Sequence, residues 1–458
     1  MKKVLSFALT LVMCVPLLGG CGSSAPSEQP ADTPAAESSA AEAPVANESG
    51  TVDSGTGGQT TLEYWTWFPS QDQYAETIAA FEAANPDIKI NLTVMESKAF
   101  QEKTPMALST GEDIDIVGVQ PSAFATQVQD YLADLDPLMA QAVGADWKSK
   151  YSETALAQGN SLTNDATKLL TLTNSGSMVG FYNAALMKEI GAEVPTTLAE
   201  YKDVAAKLAA MYPDKYAGVF GGREAWIVDE MMLTVLGQKG DYYNQWRYNG
   251  ANVDGEEFRT AINGFKKFFD EGVFSMDTMD LDAAGAMEAF VNGDALVFYM
   301  GSWEAYMLSQ QLREGRSIAL EDVGAMALPV VDAGDTLSVR SYIDSGIGIV
   351  DASEKKEAAA KFVAFVTLQE GADIFGKQLT GTSAKKDFAV DASLFASDTA
   401  SQGWDTVVKL LAEGTADRNN VSGYSDVEGA AVQSVINGSL TTDQAVADLQ
   451  AEWISGKY

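Results

Sequence analysis

The chain has 458 residues, 46% of them hydrophobic and 21% charged, so it is too long for one small core and too apolar to stay disordered. Lys and Arg total 30 against 64 Asp and Glu, a net charge of −34, which opposes a phosphate backbone and excludes nucleic acid as an expected partner. Histidine is absent, which removes Ser-His-Asp and Cys-His catalysis and imidazole metal ligation together. Enzyme chemistry, if any, would fall to carboxylates, Lys or Tyr.

Lys2 and Lys3 precede an apolar stretch, residues 4–18, interrupted by Pro16. It is shorter than the ~20 residues of a spanning helix and reads as a secretory signal over residues 1–20. The two cysteines, Cys14 and Cys21, both lie at this end, so no disulfide is expected in the body. The run Leu18-Gly19-Gly20-Cys21 resembles the lipobox of bacterial lipoproteins. That resemblance implies that Cys21 is acylated, becomes the first mature residue and anchors the chain to the membrane through several acyl chains. Residues 21–60 then form a tether. Past Cys21 they are rich in Ala, Ser, Pro, Glu, Gly and Thr, with acids such as Glu28, Asp32 and Asp53 and no base. Such a composition cannot offset chain entropy, and it predicts an extended segment spanning roughly 35 Å.

Order is expected from Thr61. Residues 62–67 are rich in β-formers, Phe68-Pro69-Ser70 turns the chain, and Tyr74, Ile78 and Phe81 recur at helical spacing. The helix stops at Asn85-Pro86. A strand over 88–94 follows by strict alternation, then a helix around 100–108 and a short apolar strand over 115–119. A βαβαβ order with buried strands predicts a parallel sheet covered on both faces, with ligand beyond its carboxyl ends, at residues 65–70 and 120–123. Further on, strands are expected at 178–182, 295–300 and 347–350. Helices are expected at 198–211, around Phe362, Phe365 and Val366, and around Val446, Leu449 and Trp453. The length predicts two or three domains.

Taken together, several blocks resemble the extracellular solute-binding proteins (family 1, sugar-type) of bacterial ABC importers. They are Trp65-Thr66-Trp67, the run from Phe81 through Asn85-Pro86 to Ile88, Ser109-Thr110-Gly111 through Val117, Leu132-Ala133-Asp134-Leu135 and Phe181-Tyr182-Asn183. Phe290-Val291-Asn292-Gly293-Asp294 leading to Gly301-Ser302-Trp303, Ala358 to Val363, and Leu440 to Ala445 complete the pattern. The resemblance implies an α/β fold of the two-lobe periplasmic-binding-protein type II, with hinge-linked parallel-sheet lobes. The N-lobe would take residues 61–173 and 346–379, and the C-lobe 174–345 and 380–458. Chain crossings would fall near Asn174, from Asp344 to Gly346, and from Thr380 to Thr382, and torsion changes there would absorb closure. It further implies a monomer outside the cytoplasm, lipid-anchored and without cofactor or metal. Such a protein captures a mono- or oligosaccharide and delivers it to ABC transporter permease subunits. One departure is the loop at residues 172–176, where the family commonly has a proline.

A pyranose presents apolar C–H faces and a polar rim, so its site needs flat aromatic surfaces and a few hydrogen-bonding groups. The aromatic candidates are Trp67, preferred to Trp65 as nearer the strand end, with Phe68, Trp226, Trp303, Tyr342 and Tyr424. Trp303, after the Gly301-Ser302 turn, matches a stacking position that the resemblance implies. The polar candidates are Gln120, Asp344, Arg340, Asn174 and Asp72. Trp147, Trp246 and Trp404 are assigned to core or surface. Asp280-Leu281-Asp282 begins like a calcium loop but has Ala284 and Val291 where oxygens are required, and is expected to cap a helix instead. Gly346-Ile347-Gly348 lacks the third glycine of a dinucleotide fingerprint. Glu112, Asp113 and Asp115 read as a solvated turn. The alternative function is a surface lipoprotein glycoside hydrolase or glycan adhesin, though no paired-carboxylate signature supports hydrolysis.

Overall fold

A computed structural model describes residues 59–240, 242, 252–414 and 423–455. The expected signal, Cys21 and most of the tether lie outside these residues, as does Trp246. Strand β1 (Thr60–Thr66) opens the fold and pairs in parallel with β2 (Ile88–Val94) over seven residues, and in parallel with β3 (Ile116–Val119). The intervening helix Gln71–Ala84 starts where Ser70 and Gln73 form a reciprocal capping box, which satisfies two otherwise orphan N–H groups. Its Tyr74 and Phe81 bury against Phe362 of the helix Lys356–Leu368, with ring centroids 6.1 and 5.0 Å apart.

Two further strands join this sheet, β4 (Leu170–Ser177) and β8 (Arg340–Ile349), giving the order β2-β1-β3-β8-β4. Here the all-parallel expectation is corrected, since β8 runs antiparallel to both β3 and β4. The physical reason is connectivity. β4 carries the chain out of this half and β8 brings it back, so the returning strand must point the other way. The second half is built on β5 (Val179–Asn183) between β6 (Val297–Met300) and β7 (Val323–Ala327), and both ladders are antiparallel. Isolated parallel bridges such as Val219 to Phe298 extend that sheet.

Two separate hydrophobic cores follow from these sheets. One draws on residues between Leu62 and Leu172 and between Ile343 and Ala384; the other on residues from Met178 to Val339 and from Leu379 to Leu449. Between them lie β4, β8 and the backbone bridge in which Asn174 N–H donates to Thr382 O (2.6 Å) and Thr382 N–H to Asn174 O (3.0 Å).

Residues 172–176 are not a loop but the interior of β4. Their Thr, Asn, Ser and Gly composition favours turns, yet in this strand the Thr171 hydroxyl donates to Thr173 O (2.6 Å) and the Ser177 hydroxyl pairs with that of Tyr342 (2.6 Å), while Ser175 Oγ is buried with no hydrogen-bond partner among the described residues. Asp115 is likewise not solvated. Glu112 and Asp113 are exposed, whereas Asp115 is buried and accepts from Glu63 N–H (2.8 Å), Ser353 Oγ (2.6 Å) and Lys355 Nζ (2.9 Å). The run at Asp280 behaves as expected, because Asp282 caps the helix Ala283–Val291 through Gly285 N–H.

The helix Ala225–Gly237 has no polar stripe. Every residue from Ile227 to Gly237 is buried, the arrangement of a helix inside a core. It packs on the helix Tyr424–Ile436 so closely that a Cβ at Gly429 would fall 1.8 Å from the Ala225 carbonyl oxygen.

Candidate functional site

A cavity of about 990 Å³ lies between the two cores. From the first half it is walled by Trp67, Phe68, Gln101 and Gln120, and from the second by Glu224, Trp226, Glu230 and Trp303. Thr173, Asp344, Ser345 and Thr380, on the segments that pass between the halves, also border it.

Each ring is placed by its scaffold. β1 ends at Thr66, whose hydroxyl donates to Phe68 O (2.6 Å) and accepts from Phe68 N–H (3.3 Å), so the chain turns at once and leaves Trp67 beyond the ladder. Trp65 and Trp67 share strand parity, so alternation does not separate them; the end of the strand does. The Trp67 ring rests 5.4 Å from Phe100, which in turn lies 5.4 Å from Phe124. A Cβ at Gly118 would fall 2.4 Å from Thr66 Oγ1 and 3.1 Å from the Trp67 ring, so this approach requires glycine. Phe68 is braced edge-on by Phe375 at 6.1 Å.

On the opposite wall, Trp226 and Glu230 stand one turn apart on a single face of the buried helix. The Trp226 indole N–H donates to Glu224 Oε2 (2.8 Å), and Glu224 Oε1 accepts from Ala283 N–H (2.8 Å), which fixes the ring against the start of the next helix. Trp303 lies in the short 3₁₀ helix Ser302–Leu308, which follows β6, and its ring folds back over Gly301, where a Cβ would sit 2.2 Å from the indole. Glu96, at the rim, accepts from Lys98 and Ala99 N–H (3.0 Å each), and these bonds hold its carboxyl below the usual carboxylate range.

Of the expected site residues, the fold brings Trp67, Phe68, Gln120, Trp226, Trp303 and Asp344 to this cavity. Five others are placed elsewhere. Asp72 is exposed in the first turn of its helix, where its charge faces the helix dipole. Asn174 is held in β4 by its bridge to Thr382, and it is the adjacent Thr173 that borders the cavity. Tyr342 is 3% exposed with its hydroxyl on Ser177. Arg340 is 1% exposed and donates from Nη1 to Glu230 Oε1 (2.6 Å), so it lies behind a wall residue. Tyr424 is buried, donates to Leu449 O (3.2 Å) and packs on Trp453, leaving Gly423, Ser425 and Asp426 at the cavity. Among the tryptophans assigned to core or surface, Trp147 and Trp404 are buried.

Sequence reasoning missed Glu224, Glu230, Glu96, Gln101 and Asp426. A signal existed for Glu230: two consecutive acids, Asp229-Glu230, interrupt an otherwise apolar helical run, and buried acids are rare unless paired or used. Among the described residues no group of three or more acids could hold a metal ion, and no helix is long and apolar enough to cross a membrane.

This two-core arrangement around a central cavity has known counterparts. Residues 67–373 match the bacterial extracellular solute-binding protein family. The chain belongs to that family. The "Multiple sugar-binding protein" of Streptococcus mutans serotype c is 21% identical over 339 residues, covering 71% of this chain and 76% of that protein. Among solved structures, the maltose-bound MalE3 of T. maritima superposes with a TM-score of 0.68 at 16% identity, covering 86% of this chain and 98% of its own. A protein from work on xylan utilization by the thermophilic bacterium Caldanaerobius polysaccharolyticus gives 0.69 at 18%, covering 86% and 99%. The fold is therefore the two-lobe α/β type of these binding proteins, with mixed and antiparallel pairing where parallel sheets were expected.

Proposed function

We propose that the chain is a lipid-anchored, extracytoplasmic receptor that captures a carbohydrate, an oligosaccharide, by closing its lobes and delivers it to an ABC transporter permease. The observation that carries this reading is the cavity itself. Two aromatic side chains of one lobe, Trp67 and Phe68, and two of the other, Trp226 and Trp303, border a space of about 990 Å³ together with amide and carboxylate groups. Flat rings meet the C–H faces of a sugar, and the polar groups meet its hydroxyls. The named relatives, one called a multiple sugar-binding protein and one holding maltose, support the same class of ligand.

In this reading the lobes divide near Asn174, between Asp344 and Gly346, and between Thr380 and Thr382, and the hinge consists of β4, β8 and the Asn174–Thr382 bridge. Acylated Cys21 and the acidic tether hold a monomer at the membrane surface. The protein performs no chemistry and requires no cofactor.

A thermal-shift screen over mono- and oligosaccharides tests this, followed by solution scattering with the sugar that stabilises most. A ligand that binds only the folded state raises the melting temperature by mass action, and closure reduces the radius of gyration. The sugar should be recovered intact. Shorter products would favour the hydrolase, and a bound sugar that leaves the scattering profile unchanged would contradict closure. Cys21→Ala should release the protein from membranes; firm retention would overturn the anchor.

A further inference from the structure

The charged groups bordering the cavity are all of one sign. Glu96, Glu224, Glu230, Asp344 and Asp426 line it, and among the described residues no Lys or Arg does. Most of these carboxylates also have work within the protein. Glu96 caps a helix, Glu224 holds the Trp226 indole, and Asp344 Oδ1 accepts from Ser345 N–H (3.0 Å). Glu230 differs. It is 6% exposed, its Oε1 accepts from Arg340, and its Oε2 is buried with no hydrogen-bond partner among the described residues. Arg340 offsets one negative charge of the five. A buried carboxylate oxygen lacking a donor is unfavourable, and a donor brought by a ligand removes that cost. Glu230 also lies one helical turn from Trp226, so an aromatic surface and a hydrogen-bond acceptor stand side by side.

A sugar hydroxyl or an ammonium group supplies such a donor. A carboxylate, sulfate or phosphate on the ligand supplies none and adds like charge to a cleft that closure would dry. We propose that the cavity takes carbohydrates free of acidic groups, neutral or amine-bearing, which donate to Glu230 Oε2, and that it rejects uronates and sulfated or phosphorylated sugars. This rests on the carbohydrate reading above and narrows its ligand class.

The test is calorimetry on the full chain with neutral oligosaccharides of several linkages, each beside its C6-carboxylated and its 2-amino form. Whichever neutral series binds, its carboxylated form should bind about a hundredfold or more weakly, and its amino form as tightly or more so. Glu230→Gln presents an amide where the free oxygen was; neutral-sugar affinity should fall about tenfold or more and the gap to the carboxylated form should narrow. Should that variant fail to fold, Asp426→Asn at the exposed rim should narrow the gap about threefold at unchanged melting temperature. A carboxylated sugar bound as tightly as its neutral partner overturns the inference while leaving the carbohydrate reading in place. A gap that narrows in neither variant overturns it as well. Binding of no sugar in any series overturns both.

Discussion

The two walls of the cavity reach the same end by different means. On the first-lobe wall, Trp67 and Phe68 sit where a parallel strand ends, backed by Phe100, Phe124 and Phe375, and the nearby polar groups are mostly neutral: Gln101, Gln120, Ser122 and Gln127. The second-lobe wall meets the cavity at the end of β6, whose last residue Met300 borders it, in a three-stranded sheet whose two ladders are antiparallel. Its rings stand on a buried helix and a 3₁₀ turn, and Glu224, Glu230 and Asp426 come with them. One wall therefore offers stacking surface with amides, the other stacking surface with carboxylates. A ligand closed between them would take its shape selection from both and its charge selection mainly from the second.

The largest expected effect falls on the scaffold of the first wall. Asp115 joins the start of β3 to β1 through Glu63 N–H and to the segment after β8 through Ser353 and Lys355. Asp115→Ala leaves a buried N–H and a hydroxyl unpaired and a lysine without its nearest counter-charge, which should cost about 3 kcal/mol. The two cores are separate, so this loss should fall on the first lobe alone. Denaturant unfolding followed by hydrogen exchange should show the first lobe opening early while amides of the second keep their protection. A single midpoint at its wild-type value would mean that the clamp contributes nothing.

The same contrast explains what was legible in the sequence. β1, β2 and β3 with their helices could be read because alternation, helical spacing and Asn85-Pro86 all agree locally, and the ligand loops follow from the strand-end rule. The 198–211 helix was equally plain, since Thr197 and Glu200 form its capping box. β4 was not legible. Its Thr-Asn-Ser-Gly content matches a turn, and only pairing with β8, more than 160 residues away, makes it a strand. Tyr342 and Tyr424 were misplaced for a related reason: an aromatic flanked by polar residues reads as exposed until the hydroxyl partners, Ser177 and Leu449, are known. Glu230 needed the third dimension, because the sequence signals a buried acid but not what it faces.

Next in size is the second wall. Truncating Trp303 to Ala should lower sugar affinity thirtyfold or more, about 2 kcal/mol, with little change in stability, because the ring is only half-buried. Were it a core residue, the loss would instead appear as about 3–5 kcal/mol of stability. Gly301→Ala sharpens the comparison. Its Cβ would fall 2.2 Å from the indole, so it should displace the ring and weaken binding without removing any aromatic surface. The matching change on the first wall, Gly118→Ala, should disturb Trp67 less directly, because its Cβ would fall 2.4 Å from Thr66 Oγ1 and 3.1 Å from the Trp67 ring. If only the Gly118 variant weakens binding, the walls do not contribute equally to stacking.

The smallest effect concerns pH and comes from a residue beside Trp303 on the second wall. Glu304, next to Trp303, has its carboxyl pushed up to about 7, chiefly because burial disfavours its charged form; the Tyr306 hydroxyl and the Arg316 guanidinium, the latter 4.1 Å from the centre of the Tyr306 ring, pull the other way. Unfolded, the group returns to about 4.5. The native state therefore holds more protons than the unfolded chain between those values, and stability falls as pH rises from about 4.5 to about 7, then levels off. The amplitude should be on the order of 1 kcal/mol, since a half-buried side chain is partly reached by water. Glu304→Gln mimics the protonated form and should flatten this slope in melting curves taken across the range. If Glu304→Gln left the slope as steep as in the wild type, the acid responsible would lie elsewhere.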